Sequence, residues 1–235
     1  MTEAMLAVNG LSSGYGQATV VRNLDLTIAR GEIVAVVGKN GMGKSTLLKS
    51  IMGYLPKFSG SVSMAQNAIS ESRPHQIARL GVAYVPQEKA LFQDLTVEEN
   101  IRLALRGSAG WNEAKATIGR CFPFLLQRLQ QKAGTLSGGE QKMLLMARGL
   151  SVGAKVLLID EITEGMQPSI ISNLVNIIKT ERDRSGLGVL LVEQNIPFTR
   201  AVSDRYVLLD KGEISGSGNT RDADTHEKIT AHISL

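Results

Sequence analysis

The sequence predicts an α/β fold built on a parallel sheet, with an antiparallel β region at its amino end and a helical segment inserted in its middle third. Three observations carry this reading. Residues 33–37, 156–159 and 189–192 are short, continuous apolar runs without alternation, the pattern of parallel strands buried on both faces. A glycine-rich loop follows the first run and leads directly into a helical pattern. Between the first and second runs, strand signals give way to helix-start signals.

Taken in order, residues 6–8 and 20–28 read as strands, the second alternating Leu24, Leu26 and Ile28 with polar neighbours. Gly31-Glu32 punctuates before the strand at 33–37, and a helix at 44–52 is closed by Gly53. A strand near 61–64, a helix near 75–80 and a strand at 82–85 follow. Thr96 with Glu99, and Ser137 with Glu140, have the spacing of capping boxes, so helices are expected at 97–106, 111–129 and 138–150. Pro168 suits the first position of a helix reaching about residue 184. A further strand at 206–209 is followed by Lys211-Gly212, read as a hairpin turn. The expected organisation is one domain over 1–235, with a helical subdomain at about 88–152.

Composition excludes several classes. With 43% apolar and 20% charged residues the 235-residue chain is an ordinary globular protein, large enough to bury its own core. The net charge of +4 is scattered rather than clustered, which argues against a nucleic-acid partner. The single cysteine, Cys121, allows no internal disulfide and reads as a packed helix residue in a reducing compartment. No stretch approaches the ~20 apolar residues of a membrane span, and the amino end lacks a signal-peptide pattern. A cytoplasmic protein is therefore expected.

Gly38-Lys39-Asn40-Gly41-Met42-Gly43-Lys44-Ser45 fits the phosphate-binding pattern G-x-x-x-x-G-K-[ST], and Thr46 continues into the helix. Glycines at 38, 41 and 43 let backbone N–H groups curl round an anion at a helix N-terminus. Lys44 would reach the β- and γ-phosphates of a nucleotide, and the Ser45 hydroxyl would ligate Mg²⁺. Asp160 and Glu161 end the apolar strand at 156–159, where α/β proteins bind ligands. Asp160 would hold Mg²⁺ through water, and Glu161 would polarise the attacking water. Leu136-Ser137-Gly138-Gly139-Glu140-Gln141 opens another helix with two glycines, a second anion site.

With that hexapeptide the chain resembles the ATP-binding subunits of ABC transporters over nearly its whole length: phosphate loop, signature and acidic strand stand in the family's order. The resemblance implies a P-loop NTPase core, ATP and Mg²⁺, and a head-to-tail dimer. In it Ser137, Gly138 and Gly139 of one subunit meet the γ-phosphate held by the other's Lys44, Ser45, Gln87, Asp160 and Glu161. It casts Gln87 as the glutamine that touches Mg²⁺ and senses the membrane partner, and Tyr15 as the aromatic that stacks on adenine. It also implies transmembrane permease subunits, a second ATPase subunit, a periplasmic substrate-binding protein, and a peripheral location on the cytoplasmic face of the inner membrane. Leu91 and Phe92 are expected to border the groove for a permease helix.

The chain departs from the family pattern in three places. Ile162 replaces a proline, 163–168 lacks the usual aspartate, and Gln194 occupies the switch-histidine position while His75, His226 and His232 lie elsewhere. Gln194 can donate to a γ-phosphate without titrating, or merely cap the next helix. The Val-Glu-Gln-Asn at 192–195 resembles ATPases of branched-chain amino acid uptake, and 163–171 resembles their relatives for urea and short amides. The stretches at 85–88 and 185–189 are similar to the lipopolysaccharide-export ATPase, the rival reading. Soluble ABC ATPases acting on DNA or ribosomes carry insertions or paired cassettes for which 235 residues leave no room. A non-hydrolysing scaffold would not need Lys44 and Glu161.

Overall fold

A computed structural model describes residues 4–87, 90–105, 107 and 110–234. Two long strands, β1 (Ala4–Tyr15) and β2 (Ala18–Ala29), pair antiparallel, and β4 (Lys57–Met64) and the short β5 (Asn67–Ala68) complete a sheet of order β2-β1-β4-β5. The second sheet contains β3 (Ile33–Val37), β6 (Val82–Val85), β7 (Val156–Asp160), β8 (Gly188–Glu193), β9 (Arg205–Asp210) and β10 (Glu213–Asn219). Its order is β10-β9-β3-β8-β7-β6, parallel except for the β9–β10 hairpin.

The apolar runs behave as their lack of alternation requires. Every residue of β3, β7 and β8 is buried. Ile33, Ala35 and Val37 face one core with Leu157, Ile159, Val189 and Leu191. Val34 and Val36 face the other with Leu158 and Leu190. The first core is filled by α4 (Trp111–Cys121), α6 (Gly138–Ser151) and α7 (Pro168–Ser185). The second is filled by the antiparallel sheet and by α1 (Lys44–Ile51), through Leu47, Leu48 and Ile51. The remaining helices are α2 (Pro74–Leu80), α3 (Val97–Arg102), α5 (Pro123–Leu126), α8 (Ile196–Val202) and α9 (Thr225–Ser234).

Both capping boxes form. Thr96 N bonds Glu99 Oε2 at 2.8 Å, and Ser137 N bonds Glu140 Oε2 at 2.9 Å. Pro168 opens α7, which ends at Gly186 in the left-handed region. Other expectations are corrected. The helix expected at 111–129 breaks after Cys121, because Pro123 has no N–H to continue the ladder and restarts the chain as α5. The helix expected at 97–106 ends at Arg102, with position 106 outside the described residues. Residues 88 and 89, where the helical subdomain was expected to begin, also lie outside them. Leu91 packs against the first core and leaves Phe92 as the exposed residue, at 58%.

Register decides where function can lie. Val37 is level with Glu193, and Asp160 with Val192. The chain therefore leaves β3, β7 and β8 at one edge, bringing together the residues that follow them.

Candidate nucleotide site

Gly38 leaves β3 so close to β9 that a Cβ would lie 2.4 Å from the Leu209 carbonyl oxygen, which only glycine avoids. Gly41 and Gly43 have φ of 82° and 98°, and Gly43 turns the loop into α1. The Lys44 side chain is buried beneath this loop. Its Nζ donates to the Gly38 and Lys39 carbonyls at 2.8 and 2.9 Å and pairs with Glu161 Oε1 at 3.0 Å. Thr46 is buried in the first turn of α1.

The acidic pair lies opposite. Ser45 Oγ donates to Asp160 Oδ1 at 2.8 Å, and the Tyr84 hydroxyl to Oδ2 at 2.9 Å. Burial pushes the Asp160 carboxyl up against the pull of these two donors. Burial and the facing carboxylate hold the Tyr84 phenol protonated as a donor. Glu161 takes a φ of 42°, uncommon for a non-glycine residue, and its N–H bonds the Val192 carbonyl at 2.9 Å. Besides Lys44, its carboxylate accepts from Gln194 Nε2 at 2.9 Å and from Gln87 Nε2 at 3.1 Å. Gln194 Nε2 also reaches Asn40 Oδ1 at 2.7 Å, and Gln87 Nε2 reaches Glu164 Oε2 at 2.9 Å. Gln194 does not cap α8: Asn195 does, its Oδ1 accepting from Phe198 N at 3.0 Å.

A cavity of about 380 Å³ is lined by Asn40, Gly41, Gly43, Lys44, Ser45 and Glu161, among others. A second, of about 440 Å³, shares Ser45 and Gln87 with it and adds Lys49, Tyr54, Tyr84 and Asp160. The left-handed glycines and buried ammonium fit a polyphosphate. Ser45 and Asp160 are hard oxygen donors suited to Mg²⁺. Tyr15, 48% exposed at the end of β1, lines neither cavity. Ser137, Gly138 and Gly139 stand apart at the start of α6, where a Cβ on Gly138 would meet nothing within 4 Å.

Three residues of the network escaped the sequence reading. Tyr84 is a polar-tipped side chain within the apolar strand Val82–Val85, a signal that was available. Glu193 ends an apolar strand as Asp160 does. Its buried carboxylate, pushed up by desolvation, accepts from Thr163 N and Oγ1 at 3.0 and 2.9 Å and so fastens the turn after Glu161. Glu164 carries no signal in spacing alone.

The chain is 40% identical over 228 residues to a probable branched-chain amino acid transport ATP-binding protein, LivF, of Archaeoglobus fulgidus, covering 96% of each. It is 36% identical to the high-affinity branched-chain amino acid transport ATP-binding protein BraG of Pseudomonas aeruginosa, covering 89% of this chain and 91% of BraG. It is 34% identical to the lipopolysaccharide export ATP-binding protein LptB of Escherichia coli, covering 92% and 90%. Its fold matches an ATP-binding subunit of an ABC transporter with a TM-score of 0.81 at 26% identity, covering 98% of this chain and 95% of that one. It also matches the ADP conformation of the ATP-binding cassette MJ1267 with a TM-score of 0.84 at 21% identity, covering 98% and 99%. A model of the ABC transporter family matches residues 21–164. The chain belongs to the ABC transporter family, as an ATP-binding subunit whose ATPase activity is coupled to transport.

Proposed function

We propose that this subunit powers an importer of branched-chain amino acids, or of small solutes such as urea and short amides, and that Glu161 is its catalytic base. The observation that carries the catalytic reading is the Glu161 carboxylate at the cavity wall, held by Lys44, Gln194 and Gln87. The solute class rests on the higher identity to LivF and BraG than to LptB, whose export role is the second reading.

The residues divide the work. Loop N–H groups around Gly41 and Gly43 cradle phosphate oxygens, and Lys44 turns its ammonium from Glu161 to the β- and γ-phosphates. Ser45 and Asp160, with Gln87 at the rim, would hold Mg²⁺, which when bound neutralises charge on the phosphate oxygens. Glu161 takes the proton of the attacking water, and Gln194 donates to the γ-phosphate. Tyr15 would swing onto the adenine ring. Ser137, Gly138 and Gly139 would serve a second ATPase subunit's nucleotide across a dimer; that they do not line this chain's own cavities supports a role in trans.

A groove of about 650 Å³ beside β6 supports a permease contact: Tyr54, Leu80, Phe92, Leu103 and Val152 line it and are all exposed. Among the described residues no helix is long and apolar enough to cross a membrane, in keeping with a peripheral subunit carried by permeases at the cytoplasmic face. In such an importer a periplasmic binding protein delivers the solute.

Replacing Glu161 by Gln should preserve nucleotide binding, remove most turnover and trap an ATP-bound dimer. Size-exclusion chromatography with Mg-ATP, beside a phosphate-release assay, reads both effects. A variant that stays monomeric and hydrolyses at the wild-type rate overturns the assignment.

A further inference from the structure

Glu164 has no role in the reading above, yet it meets the Glu161 network at two points. Its Oε2 accepts one proton of the Gln87 side-chain amide at 2.9 Å, while the same nitrogen donates at 3.1 Å to Glu161 Oε2. A primary amide nitrogen carries two N–H bonds. Both are engaged, one on each carboxylate, so Gln87 is a strap between them. Glu164's main-chain carbonyl, in turn, accepts from the ammonium of Lys142, on the exposed start of α6. One residue therefore joins the turn after β7, the loop after β6 and the helix headed by Ser137, Gly138 and Gly139. The turn is held from its other side as well, by the buried Glu193 on Thr163. The Glu164 side chain itself is exposed, so it contributes little to the core.

We infer that Glu164 is a positioning residue for hydrolysis: its carboxylate fixes the amide plane of Gln87 so that the second N–H meets Glu161, and its backbone ties that arrangement to α6. Without the Glu164 acceptor the Gln87 amide is free to rotate about its last torsion, which is broad and nearly two-fold. Glu161 then loses its Gln87 donor for part of the time, the donor that remains when Lys44 and Gln194 turn to the phosphates, and the carboxylate is no longer aimed. The effect falls on the chemical step and not on nucleotide capture, which rests on the glycine loop and Lys44. The inference depends on Glu161 being the base.

The test is steady-state ATP hydrolysis by the full chain, with Glu164→Ala, Glu164→Gln and Glu161→Gln compared. Glu164→Ala should lower kcat about tenfold while KM for Mg-ATP, affinity for a fluorescent ATP analogue and thermal midpoint stay near wild type. Glu164→Gln retains a side-chain carbonyl that accepts from Gln87, and should restore kcat to within about threefold. Wild-type kcat in Glu164→Ala, or a Gln variant as slow as the Ala variant, overturns the inference. A drop in thermal midpoint or analogue affinity matching the loss of rate also overturns it, because Glu164 would then be structural. If Glu161→Gln hydrolyses normally the underlying base assignment fails. If Glu161→Gln is inactive and Glu164→Ala is not, only the positioning role fails.

Discussion

At Glu161 the backbone pays for its place: a φ of 42° costs a non-glycine residue on the order of 1 kcal/mol, and the bond from its N–H to Val192 holds it there. The strain turns the carboxylate back over the phosphate loop toward Lys44, where a residue continuing along β7 would alternate away from it. Gln194 donates to the same carboxylate oxygen that Lys44 meets, bridging it to Asn40 of the loop. Capping α8, the bland alternative for Gln194, falls to Asn195. If Gln194 donates to the γ-phosphate, Gln194→Ala should lose about 1.4–3 kcal/mol of transition-state stabilisation, tenfold or more in kcat. Gln194→His, which restores a donor, should keep much of the rate. Turnover by the alanine variant at the wild-type rate rejects the contact. Lys44, Ser45, Asp160 and Glu161 were legible as sequence because each is tied to a strand end or to a glycine pattern. Glu164 was not, because its part depends on a partner 77 residues away in the chain, Gln87.

Elements were legible where local chemistry decided them. The capping boxes at Thr96 and Ser137, proline at the start of α7 and the Lys211-Gly212 turn, whose φ values of 46° and 87° close the β9–β10 hairpin, are all short-range. The misses are tertiary. Strand β10 carries Gly216 and Gly218 with mostly polar neighbours, and is a strand because the hairpin lays it on β9. Strand β1, expected only at residues 6–8, runs on through Ser12-Ser13-Gly14 to Tyr15, because register shifts absorb the irregularity between β2 and β4. A different long-range tie joins α7 to α4. Buried Glu181 on α7 pairs with Arg184 at 2.6 Å and with Arg120 of α4 at 3.2 Å, and Cys121 lies 3.5 Å away. Burial pushes the Glu181 carboxyl up, but the Arg184 hydrogen bonds and the Arg120 charge outweigh it and hold the group below its usual range. A carboxyl depressed in the folded state adds stability above its unfolded value, about 4.3, and that contribution is lost as pH falls through the folded value. Glu181→Gln should therefore cost about 1–2 kcal/mol at pH 7, toward the low end because both guanidiniums are half-exposed. The gap to wild type should narrow below about pH 4. Urea unfolding at pH 7 and pH 3.5 checks it, and a gap that does not change with pH would assign the cost to packing.

For the whole molecule, the edge strand β6 borders both the nucleotide site and the groove that Phe92 lines. Tyr84 lines the groove and donates its hydroxyl to Asp160, and Tyr54 lines both the groove and the Asp160 cavity, so the two concavities share two side chains. The groove's other wall is fixed from within. Buried Asn100 accepts from Phe92 N at 2.9 Å and donates to the carbonyls of Phe92, Leu95 and Thr96, and so holds the loop that presents Phe92. Arg148 of α6 bonds the Ala90 carbonyl at 2.6 Å and anchors the same loop. A rigid loop offering one exposed ring beside Tyr54, Leu80 and Leu103 suits an apolar helix face from a permease. Because Phe92 points to solvent while Leu91 carries the packing, a charge at 92 can be introduced without disturbing the core. Phe92→Asp should leave the purified subunit's thermal midpoint unchanged and its ATPase within about twofold of wild type. It should also abolish co-purification with the permease subunits and solute uptake in reconstituted vesicles, since a carboxylate stripped of water against an apolar helix face costs several kcal/mol. Leu91→Asp is the contrasting variant: it should fail by unfolding, lowering the thermal midpoint and the basal rate together. If Phe92→Asp loses stability or hydrolysis in the isolated subunit, the ring belongs to the fold. If it assembles and transports like wild type, the permease helix docks elsewhere.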